Sequence, residues 1–318
     1  MSSAGMAHRA LGTAAHAGPD LGMVEQGLRI ACADDTLIGI LARPQRPSAI
    51  GMLIVVGGPQ YRAGSHRQFT LLARQLAHAG HAVLRFDHRG MGDSTGQARD
   101  FLAVSGDIDA AVQALRLAVP AVQRVVLWGL CDAASAALFY IDEHPSSPVA
   151  GLCLLNPWVR SAQTQAAAQV KHYYRRRLTD REFWLKLLHG QVGAGRLAEF
   201  WRSLRAMRTG ASGDAAASTR LSFQHRMARA WRQAPCPLLL VLSGEDLTAK
   251  EFTEALATDQ AWRGALAHPQ LTRVDLPDAD HTFSNEAARS AVAKATLAWL
   301  QALAPGADRS HPVLQVAR

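Results

Sequence analysis

A chain of 318 residues with 48% hydrophobic side chains can bury the core of one large α/β domain carrying an insertion, or of two modest domains. No run approaches the roughly 18 consecutive apolar residues of a membrane span, and the four cysteines (Cys32, Cys131, Cys153 and Cys236) form no close pair, which excludes a disulfide framework or Cys-based zinc site and fits reduced thiols in the cytoplasm. The net charge of +8 is concentrated between Trp158 and Arg232, where 15 Lys/Arg face 4 Asp/Glu, an excess of +11 that leaves about −3 for the rest; such a segment predicts an anionic partner or substrate, or a solvated helical face.

Residues 1–22 are small, polar and Gly/Ala-rich, without a cationic start and a sustained apolar run, and read as a disordered leader rather than a secretory signal. "LRIACADDTLIGILARP" predicts two strands around a turn at Asp34-Asp35. "AIGMLIVVGGPQ" is a buried strand ending in a glycine pair, and "RQFTLLARQLAHAG" has helical spacing with Gly80 as its stop. "HAVLRFD" is the next strand, followed by the glycine-rich loop "HRGMGDSTG" and the amphipathic helix "DIDAAVQALRLAV". "RVVLWG" is a short β-branched strand, and the Ala-rich stretch after it is a helix ended by Pro145. "VAGLCLLNP" is another buried strand.

The alternation stops from Trp158 to about Arg232, where helical patches such as "REFWLKLLHG" and a flexible "TGASGDAAAST" replace it, and resumes with "CPLLLVLSGED", a helix, the strand "LTRVDLP" and a last helix "NEAARSAVAKATLAWLQAL". Strands alternating with helices predict a mostly parallel sheet with helices on both faces. The expected organisation is therefore a leader (1–22), an α/β core (23–157 and 233–305), a helical cap insertion (158–232) and a flexible tail (306–318).

The turn "WGLCDAAS" carries the chemistry. A nucleophile on a tight strand-to-helix turn needs small residues two positions before and after it, and Gly129 and Ala133 supply them around Cys131. The start of the following helix presents N–H groups and its positive dipole end, which favour a thiolate, and the backbone N–H of Asp132 is aimed at a developing oxyanion. A nucleophile needs a base, and the base an orienting group. Asp246 lies in a loop after one buried strand, with Glu245 beside it as the competing acid, and His281 lies in another such loop before the last helix. All three sit where open α/β sheets gather ligands.

These pieces in this order resemble the α/β-hydrolase superfamily from about Leu28 to Leu303, in which nucleophile, acid and histidine follow one another along the chain as Cys131, Asp246 and His281 do here. Cys131 replaces the usual serine and Ala133 the usual second glycine. More narrowly, "GGPQYRAGSHRQF", "FDHRGMGDS" and "GLCDAASAALFY" are similar to the first of two hydrolases associated with the exosortase A system, a family that accompanies bacterial export and exopolysaccharide gene clusters. In the superfamily the loop after the third strand donates a second oxyanion N–H; here the residue after Gly57-Gly58 is Pro59, which has none, so Gln60 is expected to substitute through its backbone or its side-chain amide.

Other residues carry blander readings. Cys32, Cys153 and Cys236 are expected in the core. Asp87, Arg89 and Ser94 read as a hydrogen-bonded turn beside the site, Asp280 as a loop-shaping carboxylate, and Gly57-Gly58 as part of the same loop cluster, not a phosphate loop, because no Gly-Lys-Ser/Thr follows. The "YYRRR" run at Tyr173 to Arg177 has no nucleic-acid motif around it and reads as a surface cluster of the cap, so no nucleic-acid partner is expected.

The expected activity is hydrolysis of an ester or thioester through an acyl-enzyme, without metal or organic cofactor. The substrate is a small-molecule or carrier-bound acyl group, anionic in view of the basic insertion. Cysteine also suits an acyltransferase serving a glycan or other hydroxyl acceptor, and a non-catalytic binding module on the same fold is the reading from outside enzymology.

Overall fold

A computed structural model describes residues 22–58, 60–159 and 222–303. Strands β1 (Met23–Cys32), β2 (Asp35–Pro44), β3 (Ile50–Val55), β4 (Val83–Phe86), β5 (Arg124–Leu130), β6 (Val149–Leu155), β7 (Leu238–Ser243) and β8 (Leu271–Leu276) form one eight-stranded sheet in the order β1-β2-β4-β3-β5-β6-β7-β8. Every pairing from β4 to β8 is parallel, and β2 alone runs against its neighbours. The central strands are buried along their whole length, β3 and β7 without exception, which is why they read as unbroken apolar runs rather than alternating ones.

Side chains alternate across the sheet and meet helices on both faces. Leu53, Val55, Leu127, Leu152 and Leu240 point to a layer built from α2 (Ser105–Ala118), α3 (Asp132–Glu143), α4 (Phe223–Arg232) and α5 (Leu247–Thr258). Met52, Ile54, Trp128, Cys153 and Val241 point to the opposite layer, built from α1 (Gln68–His78) and α6 (Glu286–Ala302). No helix among the described residues is long and apolar enough to cross a membrane.

The first hairpin differs slightly from expectation. Cys32 pairs with Asp35, so the two loop residues are Ala33 and Asp34, one position earlier than read from the sequence. Ala33 takes the positive φ that the tight turn demands, 53°, and Asp35 opens β2. The leader, Pro59, most of the cap insertion with "REFWLKLLHG", "YYRRR" and "TGASGDAAAST", and the tail lie outside the described residues. The last part of the insertion is α4, which buries Met227 and Trp231 on the core. Its Arg226 and Arg229 pair with Asp142 and Glu143 at the end of α3, so this part of the basic segment is engaged with the protein's own acids.

Candidate active site

The loops at the C-terminal ends of β3, β5, β6, β7 and β8 converge. At the end of β5 the chain turns into α3 within one residue, and Cys131, the N-cap, takes φ 64° and ψ −126°. That backbone is costly for a residue with a Cβ, of order 1–3 kcal/mol, and it lifts the side chain out of the turn, where it is half-buried. The turn closes because Gly129 has no side chain: a Cβ there would lie 2.6 Å from the Ala133 carbonyl. The Cys131 N–H donates to the Leu155 carbonyl (2.9 Å), and its own carbonyl accepts from Ala134 (3.1 Å) and Trp158 (3.2 Å), so the strained residue is held from both sides.

His281 arrives from the loop after β8. Its Nδ1 lies 2.9 Å from Asp246 Oδ2, which leaves Nε2 for the Cys131 sulfur. Hydrogen bonds to Asp246 and to Cys131 push the ring up to about 10, against the opposing pull of burial. Asp246 is itself fixed as the N-cap of α5, accepting from Thr248 N–H on Oδ1 and Ala249 N–H on Oδ2, both at 3.1 Å. Burial works to raise its carboxyl, but the His281 contact and the two helix N–H groups outweigh it and hold it below the usual carboxylate range. Glu245, the competing acid, is exposed to solvent and not in this cluster. Asp280 accepts from the Ser284 N–H (2.8 Å) and hydroxyl, shaping the loop next to His281.

The loop after β3 lies against the elbow. A Cβ on Gly57 would sit 2.1 Å from Asp132 Oδ1, and Gly58 N–H donates to Asp132 Oδ2 at 3.0 Å. The Gln60 N–H is turned back toward the Gly57 carbonyl at 3.4 Å, and its side-chain Oε1 is buried without a partner. A cavity of about 220 Å3 opens beside this contact, lined by Gly58, His88, Met91, Arg99, Phe101 and Asp132 among others.

Asp87 and Arg89 lie in the loop after β4. Asp87 is fully buried and accepts from the Arg62 N–H (2.7 Å) and guanidinium and from Asp93 N–H (3.2 Å), while Ser94 donates to its carbonyl. Arg89 donates from N–H (2.8 Å) and Nε (2.7 Å) to the buried Asp107 of α2. Neither side chain is joined to the Cys131–His281–Asp246 group by a hydrogen bond. Among the described residues no group of three or more His, Cys, Asp or Glu is disposed to hold a metal ion.

One residue went unread in the sequence. Asn156, wholly buried at the end of β6 with φ 43°, donates from Nδ2 to Ser243 Oγ (2.9 Å) and to the His281 carbonyl (3.2 Å), and its Oδ1 accepts the Ser243 N–H (2.9 Å). Ser243 Oγ passes the link on to the Asp280 carbonyl (2.9 Å). Asn156 thus clasps the acid and histidine loops from β6. Its signal was a polar side chain closing an otherwise apolar strand run.

An eight-stranded, mostly parallel sheet with a strained strand-to-helix elbow and acid and histidine loops beyond later strands is the α/β-hydrolase fold. Residues 52–295 match the model of the alpha/beta hydrolase family, and the chain belongs to that family. No curated protein matches it. Among solved structures it is similar to an esterase of Pyrococcus furiosus (TM-score 0.59, 16% identity, 92% of this chain and 96% of that one). It is also similar to a dienelactone hydrolase of Anabaena variabilis (TM-score 0.55, 17% identity, 88% and 98%) and to a thermophilic esterase of Thermogutta terrifontis (TM-score 0.55, 20% identity, 87% and 99%).

Proposed function

We propose that the protein cleaves a carboxylic ester or thioester through an acyl-enzyme on Cys131, with His281 as base and acid and Asp246 as the group that orients it. The observation that carries this reading is the chain of contacts from Asp246 Oδ2 through the His281 ring to the sulfur at the elbow. Asp246 fixes the tautomer and His281 takes the thiol proton or holds an existing thiolate as an ion pair. The sulfur attacks the carbonyl carbon, and the electron pair moves onto the carbonyl oxygen beside the Asp132 N–H, with the Gln60 side-chain amide reaching in from the β3 loop. His281 then protonates the leaving group and activates water to release the acid.

Cysteine holds the acyl group as a thioester, which exchanges readily, so transfer to a hydroxyl acceptor is the variant reaction the nucleophile favours. The three stretches "GGPQYRAGSHRQF", "FDHRGMGDS" and "GLCDAASAALFY" support a setting in exosortase-linked exopolysaccharide export, and the basic segment from Trp158 to Arg232 supports an anionic acyl substrate.

A panel of p-nitrophenyl esters and acyl thioesters, run against the wild type and Cys131→Ala, tests the reading. Turnover in the wild type and its loss in the variant is the expected result; equal rates in both overturn it. Adding a hydroxyl acceptor and measuring acylated product against free acid separates transfer from hydrolysis.

A further inference from the structure

Resting on the acyl-enzyme reading above, we propose that His88, in the loop after β4, is a positioning residue for the oxyanion side of the site: its Nε2–H holds the Val56 carbonyl and through it sets Gly57, Gly58 and Gln60 against the elbow.

Val56 is the first residue past β3, and the sheet no longer supports it. The ladder to β4 ends at the pair Ile54–Arg85 and the ladder to β5 at Val55–Gly129, while Val56 itself is 2% exposed. A buried carbonyl beyond the ladder needs a donor. His88 supplies it across the rim of the sheet, with Nε2 2.8 Å from the Val56 oxygen. A carbonyl only accepts, so Nε2 carries the proton. The other nitrogen, Nδ1, is buried without a hydrogen-bond partner, 3.9 Å from Asp107 Oδ2. His88 is 3% exposed and its ring makes a T-shaped contact with Phe86, centroids 4.8 Å apart, so the donor is held in place by packing.

Val56 is followed by the two glycines that meet the elbow, and their tolerance is small. A Cβ on Gly57 would fall 2.1 Å from Asp132 Oδ1 and 2.9 Å from the Ala133 nitrogen, and Gly58 N–H reaches Asp132 Oδ2 at 3.0 Å. Rotation of the Val56–Gly57 peptide moves both. The far end of the loop is held by the residue next to His88: Asp87 accepts the Arg62 N–H at 2.7 Å and the Arg62 guanidinium. Two consecutive residues of the β4 loop therefore grip the β3 loop at positions 56 and 62, and fix how Gln60 and the elbow stand to one another. The grips differ in kind. Asp87 belongs to an ion-pair cluster, whereas burial, outweighing the pull of Asp107, drives the His88 ring toward its neutral form. Substituting His88 thus removes one donor without unpairing a buried charge.

The oxyanion forms twice in a turnover, when the sulfur attacks the carbonyl and when water attacks the acyl-enzyme, so a displaced loop slows both steps. Alkylation of the sulfur by iodoacetamide forms no oxyanion and does not sense the loop.

The test compares wild type, His88→Phe, which keeps a ring but no donor, and His88→Gln, whose amide can still donate. Each is assayed on p-nitrophenyl butyrate, with kcat expressed per Cys131 labelled by iodoacetamide at pH 6 so that unfolded molecules drop out. His88→Phe should lose about 10–10² in kcat, as misplacement by a fraction of an ångström does, with KM and the Cys131 labelling rate little changed. His88→Gln should recover most of that loss. Hydrogen exchange, read by mass spectrometry, should be faster from Val56 to Arg62 in His88→Phe than in wild type, slow again in His88→Gln, and unchanged in β7.

In wild type, the ring nitrogen resonances of His88, assigned by their absence from His88→Gln, should show a proton on Nε2; this reading needs neither turnover nor a folded His88→Phe. A bare Nε2, a kcat for His88→Phe equal to wild type, equal losses in the two variants, or a loss matched by slower Cys131 labelling overturns the inference. Full activity in Cys131→Ala overturns the acyl-enzyme reading instead, and the exchange and resonance data then still decide whether His88 holds the loop.

Discussion

Two glycine-rich, carboxylate-bearing loop clusters occupy the same rim of the sheet, and they are built to opposite ends. Around Asp87 and Asp107 the charges are closed: Asp87 is bound by Arg62 and Asp93, and Asp107 by Arg89 from both its backbone and its guanidinium. Around Cys131 the chemistry is left open. Cys131, Asn156 and Phe283 all carry positive φ there, Asp132 Oδ1 has no partner, and the sulfur and imidazole are partly exposed. Saturated buried ion pairs organise a backbone; strained and unfinished groups do so poorly and persist where something else must complete them. The contrast separates scaffold from site where residue type alone does not, because Asp, Arg and His occur in both.

The largest effect that sharpens this contrast is at the sulfur. Cys131→Ala should lower kcat on p-nitrophenyl esters by about 10⁴ or more, as removal of a triad nucleophile does, while the protein stays folded, because alanine keeps the Cβ and with it the backbone strain at this position. Asp246→Asn should come next, a loss of about 10³–10⁴ in kcat from the misplaced tautomer. Asparagine still caps a helix, so Asp246→Asn should lose only the stability of the ion pair with His281; Asp246→Ala should lose the same activity and about 1 kcal/mol more in urea titration, since Thr248 and Ala249 N–H groups lose their acceptor.

In the closed cluster the signs reverse. Asp107→Ala leaves the buried Arg89 guanidinium unpaired and should cost about 3–5 kcal/mol of unfolding free energy, while kcat of the folded fraction stays within threefold of wild type. A loss of kcat without a loss of stability would erase the distinction between the two clusters.

The smallest effect is graded with pH. His281 keeps its proton up to about 10, so the imidazolium that serves the leaving group is present through neutral pH, and turnover of alkyl esters should decline as pH rises through about 10. Because the folded ring is raised above its unfolded value near ~6.5, the stability it contributes is complete below that value and lost over the same rise. A bell centred near pH 6 in an alkyl-ester profile would contradict the assignment.

Most of the fold was legible because its strands are unbroken apolar runs and its helices have clear periodicity and stops. The elbow was legible because small residues at 129 and 133 are a local requirement, and Asp246 and His281 because each follows a strand. Asn156 and the Asp132 carboxyl were not. Their contacts join groups 74 to 125 places apart along the chain that meet only across the sheet rim, and no local spacing encodes such a meeting. The hairpin turn was misplaced by one residue because Asp34 and Asp35 are equally good turn formers, and only the pairing of Cys32 with Asp35 decides between them.

The most direct measurement is the labelling of the four cysteines by iodoacetamide at pH 6, read peptide by peptide by mass spectrometry in wild type and His281→Ala. Burial drives the Cys153 thiol well up and Cys236 to about 12, and burial with the Asp107 charge raises Cys32, so these three should stay unmodified. Cys131 should be labelled near stoichiometrically in wild type and far more slowly in His281→Ala. A Cys131 that reacts no faster than a free thiol, or equally in both proteins, would contradict a nucleophile activated by His281.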